Sequence, residues 1–111
     1  MKSLILLLAF VLVFSTTGFC HNPSSIDVKF KKGGIDVVVA HSVSDPTTHY
    51  VKKIEVKVNG ANVAERKFTS QTDDMTQKTS FELPSFKKGD ILEITAYCSR
   101  SGEVTQSITV E

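Results

Sequence analysis

Seven short stretches of the sequence, separated by turn residues, carry apolar and β-branched side chains, and most of them alternate with polar residues. Successive side chains of a β-strand point to opposite faces, so this alternation predicts strands with one buried face. After residue 20 no stretch keeps helical spacing over three turns. The predicted strands are 25–30, 35–41, 49–58, 61–68, 78–83, 91–98 and 104–110.

The segments between these stretches have the composition of tight turns. Asn59-Gly60 is the strongest hairpin signal, because both residues tolerate the positive φ angles of a two-residue type I′ turn. Seven short antiparallel strands at regular spacing predict an all-β fold, a seven-stranded immunoglobulin-like β-sandwich. The Cys–Trp–Cys pattern of antibody domains is missing.

The first 20 residues differ in character from the rest. Lys2 is followed by eleven apolar residues, 4–14, and then by small and polar residues. This order is typical of a secretory signal peptide, and the apolar run is too short to span a membrane, which takes about 20 residues. We therefore expect a signal peptide over 1–20 and one exported domain over 21–111, periplasmic or extracellular. Phe19 argues against a lipid anchor at Cys20, since a small residue usually precedes a lipidated cysteine.

Charge and motifs exclude several classes of function. The 13 basic and 12 acidic residues give a net charge of +1, which argues against a nucleic-acid partner. Glycine fingerprints of nucleotide-binding enzymes are missing, as are the GxSxG and HExxH motifs of hydrolases.

The three histidines and one cysteine are predicted to gather at one end of the sandwich. His21 precedes the first strand, His41 ends the second, His49 begins the third and Cys98 ends the sixth. If each strand runs antiparallel to the one before it, all four positions fall at the same end. Imidazole and thiolate together are suitable ligands for zinc, copper or iron.

Strand parity supports only part of this cluster. His41 and Cys98 are in phase with the apolar residues of their strands and are expected to point inward. His49 is out of phase with Ile54, Val56 and Val58, so it converges only if its strand starts later or bends. Taken singly, an inward cysteine is more often a small core residue, and a histidine at a strand end is more often a hydrogen-bonded loop residue.

The stretch from His49-Tyr50 to Val56, with Tyr97-Cys98 near the C-terminus, resembles the iron domain of desulfoferrodoxin and superoxide reductase. The resemblance implies an immunoglobulin-like sandwich that holds ferrous iron with four histidines and one axial cysteinate, leaving a position open for superoxide. His49 takes the place of the histidine before tyrosine, Cys98 that of the cysteinate and Gly102 that of the glycine closing CxxHG.

Other positions depart from the family's motifs. Asp45-Pro46 stands where the family has His-Pro, and Ser101 stands where it has its last histidine. His21 matches the family's early histidine, and His41 replaces a lost ligand only from a shifted place. The predicted metal ligands are therefore His21, His41, His49 and Cys98, with iron as the first metal. Copper is an alternative, because imidazoles with a thiolate also form electron-transfer copper sites, and cleavage that exposes His21 would add a free amine. Zinc is another alternative, as a structural ion.

A second resemblance covers overlapping residues. His49–Val51, Val58–Gly60 and the run from Lys87 to Gly102 are similar to the SoxZ-type subunit of thiosulfate oxidation. That subunit is a non-enzymatic sandwich that binds a sulfur-carrying partner. Two functions stay open: a metal protein for redox or superoxide chemistry, which would make it an oxidoreductase, or a module that binds a redox or sulfur-carrier protein, with 70–77 as the surface to test.

Overall fold

The structure, a computed structural model, describes residues 23–83 and 85–111. These residues form seven strands and confirm the predicted all-β sandwich. The predicted signal peptide lies outside the described residues. Within those residues, no helix has the length and apolar character needed to cross a membrane. The strands are β1 (Ser25–Lys31), β2 (Gly34–Ala40), β3 (Val51–Val58), β4 (Ala61–Lys67), β5 (Thr76–Glu82), β6 (Ile91–Cys98) and β7 (Glu103–Thr109).

The strands form two antiparallel sheets. One sheet has the order β1-β2-β5 and the other has the order β4-β3-β6-β7. Their inward residues form one hydrophobic core, in which β2, β3 and β6 supply most of the fully buried side chains. Each of these three strands is paired with another strand on both edges. Their apolar residues alternate along the strand, so they all point to one face of the sheet, and that face lines the core.

Turn chemistry fixes the register of the β3–β4 hairpin. Asn59 and Gly60 have φ angles of 51° and 86°, which confirms the predicted type I′ character. Val58 consequently pairs with Ala61. Across the described residues, predicted and observed strand ends differ by at most two residues. The largest differences are at the starts of β3 and β5.

Candidate metal centre

Three of the four predicted ligands come together at one end of the sandwich. His41 directly follows β2, His49 lies two residues before β3, and Cys98 is the last residue of β6. All three are buried, with exposed fractions of 0%, 8% and 1%. Their ligating atoms all lie within 4.8 Å of one another. His21, the fourth predicted ligand, lies outside the described residues.

Strand parity places His41 and Cys98. The side chains of Ile35, Val37 and Val39 on β2 are fully buried, and His41 continues their alternation one step beyond the strand. Cys98 continues the alternation of the buried residues of β6 in the same way. Both side chains therefore lie against the apolar core, and this packing restricts the access of solvent to them.

His49 reaches the cluster because β3 starts late and is irregular. The strand begins at Val51, and its pairing with β6 shifts register between Val51 and Lys53. The shift lets His49 and Val51 share the buried face although they are out of phase with Ile54. This irregularity supplies the bend that alternation alone could not predict.

Asp45 anchors the turn that carries His49. Its carbonyl oxygen accepts the backbone N–H groups of Thr48 and His49 at 3.1 and 3.0 Å. Its carboxylate accepts the Thr47 hydroxyl at 2.6 Å and the Thr47 N–H at 2.9 Å, and these bonds lower the pKa of Asp45. Asp45 is exposed. Asp45 therefore shapes the loop that carries His49 and lies on the surface of that loop.

The sulfur of Cys98 has two hydrogen-bonding neighbours. The His49 Nε2 atom lies 3.1 Å from Sγ, and the Arg100 backbone N–H donates to Sγ at 3.4 Å. The His41 and His49 rings meet edge to face, with centroids 4.9 Å apart and planes at 87°. Cysteine binds metals as the thiolate. The arrangement can accept one ion between two imidazoles and a thiolate.

The chain also enters the described fold at this end. The buried Pro23 and the exposed Ser24 precede β1, and the Ser24 N–H donates to the Ala40 carbonyl at 2.7 Å. Ala40 is the residue before His41.

Sequence reasoning missed Gln71, which lies in a loop predicted to be polar and exposed. Gln71 is buried, and its Oε1 atom lies 2.8 Å from Nδ1 of His41. A single glutamine between polar residues leaves no periodic signal, so only the folded structure identifies it as a neighbour of the cluster.

Tyr97, next to Cys98, points to the opposite face of its sheet. Its hydroxyl donates to Glu55 at 2.8 Å, and the Lys53 ammonium lies 3.1 Å from the second carboxylate oxygen and 4.7 Å from the ring centroid. The bond to Glu55, with a smaller contribution from burial, raises the pKa of Tyr97 to about 12.

We expect Tyr97 to ionise near pH 12 and not near its ordinary pKa of 10.0. Because the folded state holds the protonated phenol, this stabilisation is complete below the ordinary pKa and disappears as the pH rises through about 12. The pKa of Tyr97 is measured from the tyrosinate absorbance as a function of pH, taken as the difference between the wild type and Tyr97→Phe. Glu55→Gln should lower it, and an unshifted titration in the wild type would refute the Tyr97–Glu55 interaction.

Comparison with solved structures identifies the architecture. A superoxide reductase (1Fe-SOR) from Giardia intestinalis aligns with a TM-score of 0.62 at 14% identity, covering 81% of this chain and 100% of that one. This chain has the superoxide reductase fold. A superoxide reductase in the oxidised state aligns at 0.53 with 21% identity, covering 82% of this chain and 88% of that one. A substituted superoxide reductase (neelaredoxin) from Ignicoccus hospitalis aligns at 0.52 with 17% identity, covering 81% and 82%.

These alignments confirm the predicted superoxide reductase resemblance at the level of the fold. Neither a protein-family model nor a curated protein matches the sequence. The SoxZ-type resemblance stays a prediction.

Proposed function

We propose that this chain is an exported protein that binds one redox-active metal ion, iron in the first place, between His41, His49 and Cys98. One observation carries the proposal: three buried side chains of ligating type converge within 4.8 Å. The three residues come from separate parts of the chain, and binding one ion together would explain why all three are buried at the same end of the sandwich. His21 is the proposed fourth ligand, contributed by the segment that precedes β1.

The donor set fits this group of metals. Imidazole suits iron, copper and zinc, and thiolate adds a soft anionic ligand that carboxylate sites for magnesium or calcium lack. Two donors on one ion lie about 3–4.5 Å apart when each is about 2.0–2.3 Å from it. The observed separations come close to this range, so small movements of the rings would bring all three donors onto one ion.

Iron is preferred because the superoxide reductases share this fold, and one of them is a one-iron protein. A ferrous ion here would supply one electron to superoxide, which takes up two protons to give hydrogen peroxide, and a reducing partner would then restore the ion. The residues of the chain keep water from the donors by burial. The Arg100 N–H donates to the Cys98 sulfur, and the Gln71 amide contacts the His41 ring.

Elemental analysis and an absorption spectrum of protein purified from the exported fraction test the proposal. We expect about one iron per chain and a thiolate charge-transfer band. Copper with such a band would keep the redox site and change the metal, whereas colourless zinc would indicate a structural ion. No metal after anaerobic reconstitution with ferrous iron would overturn the proposal and favour the partner-binding module. The mass of the same protein tests cleavage, which should leave residues 21–111.

A further inference from the structure

Gln71, in the loop between β4 and β5, is hydrogen-bonded on both sides of its amide group. Its Nε2 atom donates to the carbonyl oxygens of His41 at 2.7 Å and Asp73 at 3.0 Å. Its Oε1 atom accepts the Val51 backbone N–H at 3.1 Å and lies 2.8 Å from Nδ1 of His41. The side chain therefore contacts both the backbone and the ring of His41.

These partners fix the orientation of the amide. Carbonyl oxygens only accept hydrogen bonds, so the group facing His41 O and Asp73 O must be the NH₂. The Val51 N–H only donates, so the group facing it must be the oxygen. Turning the amide over would place like groups against each other at three contacts, and the assignment follows from chemistry alone.

The fixed amide determines which nitrogen of His41 carries the proton. Because Gln71 Oε1 can only accept, the His41 Nδ1 atom must donate to it. A neutral imidazole has one N–H, so Nε2 then carries the lone pair that a metal requires. Metal-binding histidines in general donate their second ring N–H to a neighbouring acceptor in this way.

We infer that Gln71 is a positioning residue of the metal site, which holds His41 in the Nδ1–H tautomer and presents Nε2 as its ligand atom. This inference rests on the proposed function, which supplies the metal ion that Nε2 would bind. Gln71 also connects the two loops at this end, because its own N–H donates to the Pro46 carbonyl at 2.9 Å. It thereby holds His41 against the loop that carries His49.

The chain offers a matched control in Gln77. Gln71 and Gln77 are both buried, with exposed fractions of 6% and 5%. The Gln77 amide accepts the Thr72 N–H at 3.1 Å and donates to the Lys78 carbonyl at 2.9 Å. Gln77→Met therefore removes a buried amide from the same region without touching His41, and Gln71→Met removes the amide that does.

Two measurements on the full chain test the inference. In metal-free protein at about pH 9, where an imidazole is neutral, ring ¹⁵N shifts should show His41 as the Nδ1–H tautomer in the wild type and in Gln77→Met. Gln71→Met should lose this preference, because a thioether does not replace the amide oxygen as an acceptor for Nδ1. Zinc affinity, measured by competition with a chromophoric chelator, should fall about 10–100-fold in Gln71→Met and little in Gln77→Met.

The outcomes separate this inference from the proposed function. An Nε2–H tautomer of His41 in the wild type would overturn the inference, as would equal zinc affinities for the two methionine variants. If the wild type binds neither iron nor zinc, the proposed function fails. A tautomer preference that depends on Gln71 would in that case still support its role in orienting His41. The wild-type tautomer is measurable even if Gln71→Met does not fold.

Discussion

Replacing Cys98 with serine should remove the thiolate charge-transfer band and lower metal affinity by more than about 100-fold, the upper end of what loss of a supporting residue costs. A serine hydroxyl stays protonated at neutral pH and does not replace a thiolate, which is the metal-binding form of cysteine. The metal-free variant should still fold, because the hydroxyl is smaller than the thiol and keeps a hydrogen-bonding partner in His49. Metal content, the absorption spectrum and urea unfolding of the metal-free protein measure the three effects.

Ala96→Ser is the matched control for this variant. Ala96 is fully buried on the same face of β6, two residues before Cys98. The substitution places the same hydroxyl in the same strand without removing a ligand, so it should reduce stability and leave the metal and its band in place. If Cys98→Ser kept full metal content and lost only stability, Cys98 would be a core residue and not a ligand of the proposed site.

The site divides into a part that alternation predicts and a part that depends on loops. His41 and Cys98 extend buried faces of β2 and β6, so the period of two that predicts the strands also predicts their direction. His49 belongs to a turn, and its direction depends on the register shift at the start of β3. Amino-acid composition does not indicate a register shift of this kind. The sequence therefore predicted only that His49 would join His41 and Cys98 if its strand started late or bent.

Gln71 and Asp45 show why the surroundings of a site are harder to predict than its ligands. Both act through hydrogen bonds to groups distant in sequence or to a local turn. Glutamine in a polar loop predicts exposure, yet Gln71 is buried because its amide satisfies groups on β3, the His41 segment and its own loop. Such roles depend on tertiary contacts between loops, which a hydrophobic pattern does not encode.

The second large effect concerns the fold and involves Gly34, the first residue of β2. A Cβ atom at this position would overlap the backbone carbonyl of Phe81 on β5. Phe81 belongs to the core, and Gly34 and Glu82 are paired between the two strands, so neither backbone can move without disturbing the sheet. Gly34→Ala should therefore lower the free energy of unfolding by about 3 kcal/mol, at the upper end of overpacking, or prevent folding. Urea unfolding of the metal-free protein measures the loss.

Gly33→Ala separates overlap from backbone conformation. Gly33 has a φ of +84°, and a Cβ there would meet nothing within 4 Å, so its cost should be only the strain of that conformation, about 1–2 kcal/mol. Equal losses in the two variants would show that backbone conformation dominates and that the close approach to Phe81 relaxes at little cost. The His41–His49–Cys98 cluster lies at the other end of β2, about 20 Å away at the usual rise per residue. Any Gly34→Ala protein that folds should consequently bind metal as the wild type does.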